Sequence, residues 1–243
     1  MWETDELSAI FQAPLFLGAR SRRFWKIPGP HVFRNERYWG VLIGCHSGMR
    51  RKEIFQLRVR HVVCDRNTGI WYFDLMSIDV DTKAVGSLRS VPLHKNLLKL
   101  GFIEDRIEGR DPDALLFPEA EPYSERQSPG DPFGKWFSEF RLHYGVREEA
   151  VFHSLRHTVS TLLCRTNIKE SFVEELVGHE SRKRESELGR YNKGRTLIML
   201  RDLVDQIVLP IDIDALVSAA AKSLDLIRDR HGKRVTRSTV PGF

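Results

Sequence analysis

Apolar positions recur at helical spacing along most of this chain, with one early interruption where the period changes. Over residues 4–16, Leu7, Ile10, Phe11 and Leu15 fall on one face behind a Thr or Asp cap, which predicts a helix. Residues 19–30 are basic and contain Pro and Gly, so they read as a loop. A helix over 35–45 carries Tyr38, Leu42 and Ile43, and Gly48 follows it as a C-terminal cap. Another begins near Arg50 with Ile54 and Leu57. Residues 59–63 and 70–76 are then rich in strand formers and flank the turn Asp65-Arg66-Asn67-Thr68-Gly69. With a third strand over 89–93 they predict a small antiparallel sheet. After His94 the pattern is helical again, over 95–108, 133–144, 154–167, 169–178, 195–208 and 212–230. The expected fold class is mainly α with a small three-stranded antiparallel sheet.

In the last helix, Leu216, Ala220, Leu224 and Ile227 form an apolar stripe that must pack on something, either its own domain or a neighbouring protomer. The expected organisation is one domain over 1–210, followed by this helix and a basic tail over 211–243. No apolar run approaches the ~20 residues that span a bilayer, and the acidic N-terminus lacks the apolar core of a secretory signal. Cys45, Cys64 and Cys164 are dispersed in apolar surroundings and read as reduced packing residues of a cytoplasmic protein. The net charge of +5 permits a polyanionic partner. Its clustering at 20–26, 50–52, 182–184 and 228–237 says more, since a polyanion could meet several clusters on one face, although any single cluster is better explained as solvated surface.

Phosphodiester transfer without a metal needs a nucleophile, positive donors around the non-bridging oxygens, and an acid for the leaving oxygen. Five segments can supply these. Ser47-Gly48-Met49-Arg50-Arg51-Lys52-Glu53-Ile54 places Arg50 near a helix start, with Glu53 able to brace an arginine or cap the helix. Arg51 is a neighbour of the same type. Lys83 precedes Ser87-Leu88-Arg89-Ser90-Val91-Pro92-Leu93, on a loop from which an amine can reach a site. In His153-Ser154-Leu155-Arg156-His157-Thr158, a helix start turns His153 and Arg156 to one side, and Arg156 can fork onto a phosphate. His153 and His157 also have zinc-binding spacing, but no Glu stands between them as in a metalloprotease helix. Leu176-Val177-Gly178-His179 ends a helix on an imidazole, and Tyr191 lies between Gly189 and Gly194 among basic residues.

In this order the segments resemble the tyrosine recombinase, or phage integrase, family. Ser47 to Ile54 is similar to its Thr-Gly-Leu-Arg-x-x-Glu-Leu segment, with Ser in place of the usual Thr, and His153 to Arg156 matches His-x-x-Arg. Val177-Gly178-His179 looks like its Leu-Gly-His, and Tyr191 falls where its nucleophile belongs, after a longer charged spacer. The resemblance implies the family's catalytic-domain fold without its N-terminal DNA-clamping domain, acting in the cytoplasm on the nucleoid. It implies that Arg50 and Arg156 clamp the scissile phosphate and that Lys83 protonates the 5′ leaving oxygen. It further implies that His153 assists proton transfer at the tyrosine, that His179 donates to the phosphate, and that Tyr191 attacks. No cofactor or metal is implied. The expected partners are double-stranded DNA and other protomers, monomeric when free and tetrameric in the synapse. A DNA-binding accessory module of the same fold, a type IB topoisomerase-like enzyme, and a zinc hydrolase built on His153, His157 and His179 are the competing readings.

Overall fold

The computed structural model describes residues 1–76, 89–124, 126–166, 168, 170–178 and 193–231. Its centre is helix α3 (Glu36–Ser47), whose first N–H groups are met by the Asn35 side chain, at 3.1 Å from Arg37 N and 3.4 Å from Tyr38 N. Tyr38, Trp39, Val41, Leu42 and Ile43 of α3 are all fully buried, so the helix is apolar nearly all round and is wrapped by the others. Around it pack α4 (Arg51–Phe55), α5 (Lys95–Lys99), α7 (Asp131–His143) and α8 (Phe152–Cys164). Phe133 and Phe137 of α7 meet Phe152 of α8 edge to face, each at 5.3 Å between ring centres.

The sheet is antiparallel in the order β1 (Val62–Cys64), β2 (Trp71–Asp74) and β3 (Ser90–Pro92), with Phe73 opposite Val62 on one side and Val91 on the other. Phe73 and Val91 are fully buried, which ties the sheet to the helical core. Helix α10 (Lys193–Val204) packs on β3, α9 (Glu170–Val177) packs on α8 and α10, and α11 (Ile213–His231) closes the described chain.

Several boundaries differ from the sequence expectation. The helix expected over 4–16 is two, α1 (Thr4–Phe11) and α2 (Pro14–Leu17), because Pro14 supplies no N–H and starts a new helix. The helix expected over 95–108 divides at Gly101 into α5 and α6 (Phe102–Arg106). Residues 59–61 form a 3-10 turn before β1. Cys45 is buried, but Cys64 is half-buried and Cys164 is exposed at the end of α8, so the packing role expected of all three does not extend to Cys164. None of the three is in a disulfide. Leu216 and Ala220 of the α11 stripe are buried against the chain's own fold, where α11 meets α2 and Ser223 Oγ accepts from Val32 N at 3.0 Å. Leu224 is exposed.

Candidate active site

Three of the six predicted site residues are described, and the fold brings two of them, Arg50 and Arg156, into one cluster. Arg50 is the N-cap of α4 and its side chain remains 38% exposed, enough to meet a ligand. Glu53 lies one turn on and is buried. It accepts from Arg50 N at 2.8 Å through Oε2 and from Arg50 Nη1 at 2.8 Å through Oε1, so it caps the helix and braces the arginine at once. Arg51 points elsewhere, pairing with Asp131 at the start of α7 at 2.5 Å. The two adjacent arginines are therefore distinguished by which carboxylate each meets.

Arg156 sits on the buried face of α8 and donates from Nη1 to Gly48 O at 3.0 Å. Its other terminal nitrogen, Nη2, is buried and has no hydrogen-bond partner among the described residues. Leaving such a donor unmet costs about 1–3 kcal/mol, more when charged. Burial, followed by the positive charges of Arg50 and Arg89, pushes the Arg156 guanidinium down to about 10, with Glu53 opposing. It still carries its proton at neutral pH.

A residue without an assigned role completes the cluster. Arg89, at the foot of β3, is buried and forks onto Glu53, with Nη1 to Oε1 and Nη2 to Oε2 both at 3.0 Å. Its Nε donates to Leu176 O at 2.7 Å. Burial works against the charge of Glu53, but the hydrogen bonds and charge of Arg89, with the N–H and charge of Arg50, outweigh it and hold the carboxyl below its usual range. Among the described residues the group is thus three guanidiniums around one ionised carboxylate.

Helix ends supply the remaining anchors. Gly48 and Gly178 take the left-handed conformation, at φ 64° and 71°, that closes α3 and α9. The carbonyls turned out there carry the negative end of each helix dipole. Gly48 O receives Arg156, Gly178 O receives Arg50 at 3.3 Å, and Leu176 O receives Arg89. The motif glycines thus terminate helices where arginines need acceptors.

His153 lies in the first turn of α8 and is exposed, with its ring edge-on to the exposed His157 at 5.2 Å. It stands three residues before Arg156 on the same helix and faces solvent. The N-terminus of α8 is pinned by Trp2, which is buried and donates from Nε1 to Val151 O at 3.0 Å and from its main-chain N to Thr158 Oγ1 at 2.8 Å. Lys83, His179 and Tyr191 lie outside the described residues. Among the described residues, no group of three or more His, Cys, Asp or Glu side chains could hold a metal ion, and no helix is long and apolar enough to cross a membrane.

The phage integrase family model covers residues 23–194, and the chain belongs to that family. Among solved structures it is similar to XerA recombinase, at 17% identity and a TM-score of 0.47, over 96% of this chain and 64% of that one. The chain therefore spans less than two thirds of that protein's length. No curated protein matches the sequence.

Proposed function

We propose that this chain is the catalytic domain of a site-specific DNA recombinase that cuts and rejoins strands through a phosphotyrosine at Tyr191. The observation that carries the reading is the buried Nη2 of Arg156, unpartnered among the described residues, in a cluster where three described guanidiniums surround one described carboxylate. Such an arrangement is unfavourable for folding and suits an oxyanion. Family membership supports DNA as the source of that oxyanion.

In this reading Arg50 and Arg156 hold the non-bridging oxygens of the scissile phosphate. They stabilise the charge that grows as phosphorus becomes five-coordinate. The Tyr191 phenol loses its proton with help from His153 and attacks phosphorus, forming a 3′-phosphotyrosyl ester. The bond to the 5′ oxygen breaks, and Lys83 supplies the proton that makes it a hydroxyl. His179 donates to the same phosphate. Attack by that hydroxyl, or by one from a partner strand, reverses the step with no net loss of ester bonds. Strand exchange places protomers side by side on double-stranded DNA, in a tetrameric synapse formed from free monomers.

The test is covalent trapping on a pool of nicked duplexes of randomised sequence, in EDTA. A denaturation-resistant adduct from the wild type, absent from Tyr191→Phe and mapped to Tyr191, is the expected result. Wild-type protein that binds the duplexes yet yields no adduct would overturn the catalytic reading in favour of a DNA-binding module.

A further inference from the structure

We propose that Arg89 is a positioning residue for the reaction: it absorbs the charge of Glu53, so that Glu53 can brace Arg50 without neutralising it or repelling the phosphate. The inference rests on the phosphate-clamp reading above and adds a residue to which that reading gives no task.

A carboxylate beside a phosphate-binding arginine has two opposed effects. It orients the guanidinium, and it competes with the phosphate for it. A fully buried Glu–Arg pair would leave little net positive charge to attract an anion. The cluster avoids this through the division of the Glu53 lone pairs. Each oxygen takes one donor from Arg50 and one from Arg89: Oε1 from both Nη1 atoms, and Oε2 from Arg50 N and Arg89 Nη2. Arg89 is 3% exposed and forks symmetrically onto the carboxylate, whereas the Arg50 side chain is 38% exposed and touches it through Nη1 alone. The buried arginine is thus the counter-ion and the accessible one the ligand-facing group. The sum over Arg50, Arg89, Arg156 and Glu53 is three positive charges less one negative, a net of about +2. Without Arg89 it would be about +1, with a buried carboxylate half compensated beside the phosphate.

Arg89 also joins three pieces of the site. Its Nε holds Leu176 O, two residues before Gly178, whose carbonyl takes Arg50. Its own carbonyl accepts from Leu75 N at 2.9 Å, which ties the end of β2 to the start of β3 across the base of the segment carrying Lys83. One side chain therefore sets the charge of Glu53 and the spacing of α4, α9 and the sheet.

The experiment compares Arg89→Met, Glu53→Gln and the double variant in the full chain. Adduct formation is measured on the nicked-duplex pool, and sulfate binding by calorimetry. Arg89→Met should slow adduct formation about 100-fold and weaken sulfate binding. Adding Glu53→Gln should restore at least about tenfold, because the charge that competed for Arg50 is gone. A merely structural role predicts the opposite, since a second loss in a buried cluster would deepen the defect. The pH profile gives a second readout. In Arg89→Met, burial of Glu53 is opposed by Arg50 alone of its two arginines, so its carboxyl rises and takes up a proton as pH falls. The ratio of variant to wild-type rate should then climb from about pH 8 to about pH 5, and stay flat once residue 53 is Gln. Should Arg89→Met fail to fold, Arg89→Gln keeps a donor for Leu176 O without the charge, and the same rescue applies. A well-folded double variant no faster than the single, with parallel pH profiles, would overturn the proposal. Wild-type protein that neither binds sulfate nor forms adduct would instead overturn the phosphate-clamp reading beneath it.

Discussion

Two polar clusters are buried within two residues of each other on α3, and they are built on opposite terms. His46 donates from Nδ1 to Leu42 O at 2.8 Å and accepts at Nε2 from Asn96 Nδ2 at 3.2 Å. His94 accepts at Nδ1 from Asn96 N at 2.9 Å and donates from Nε2 to Ile207 O at 3.1 Å. The rings lie 4.6 Å apart, and each neutral imidazole has its one donor and one acceptor met. Two residues on, the carbonyl of Gly48 serves Arg156, which stays charged with Nη2 unmet. The saturated cluster holds α3, α5 and the chain after α10 together. The unsaturated one holds a charge ready for something the described residues do not supply. Between these two clusters the difference lies in completeness of hydrogen bonding, since both are buried and both are polar.

Acid should break the comparison first at the histidines. Burial, then the neighbouring His94, lowers His46 to about 3, and burial, only partly offset by the Ile207 hydrogen bond, lowers His94 to about 4. Both lie below the unfolded value, so their contribution to stability is whole above about pH 6.5 and is lost as pH falls towards about 4. Each histidine costs about 1.4 kcal/mol per pH unit in that window, roughly 5 kcal/mol for the pair between about pH 6.5 and about pH 4.5. Glu53 is also depressed, but its contribution begins to fall only below about 4.5. Urea unfolding across this range should therefore show a loss starting at the histidines, with the slope cut by about half in His94→Gln. An unchanged slope in that variant would mean that the pair does not control acid stability.

The arginine side of the comparison is sharpened by Arg156→Met. The substitution removes an unmet buried donor and relieves repulsion from Arg50 and Arg89, at the loss of one hydrogen bond to Gly48 O. Stability should stay within about 1 kcal/mol of wild type, while adduct formation falls about 10²–10³-fold. Thermal melts and trapping on the same preparations give both numbers. A large loss of stability would place Arg156 with the structural group.

Much of this was legible in the sequence, and the parts that were not have separate physical causes. The α3 stripe, the Gly48 stop and the turn at 65–69 follow local periods, and the structure has α3, its cap and the β1–β2 hairpin there. Arg50 and Arg51 are indistinguishable by residue type; only the three-residue reach from Glu53 to the α4 cap separates them. Arg89 carried an unused signal, for it shares strand parity with Val91 and Leu93, both apolar and both buried. Pro14 likewise marked the break between α1 and α2. Trp2 had no local signal at all, because its partner Thr158 is 156 residues away. Lys83, His179 and Tyr191 fall outside the described residues and remain proposals resting on the motif order.

The smallest expected effect tests whether the helix-end carbonyls matter to the site or only to the helices. At Gly48, φ is 64° and an added Cβ would lie 3.2 Å from Val159 Cγ1 and 3.4 Å from Val177 Cγ1. Gly109 has nearly the same φ, 70°, but nothing stands within 4 Å of its Cβ position and no cluster depends on it. Ala at either position carries the left-handed penalty of about 1–2 kcal/mol. Only Gly48→Ala also presses on α8 and α9, shifting the carbonyl that orients Arg156. Both variants should therefore melt lower, Gly48→Ala the more. Adduct formation should fall about tenfold in Gly48→Ala and stay at the wild-type rate in Gly109→Ala. Equal rates in the two would show that the Gly48 carbonyl ends a helix and nothing more, and Arg156 would then owe its position to α8 alone.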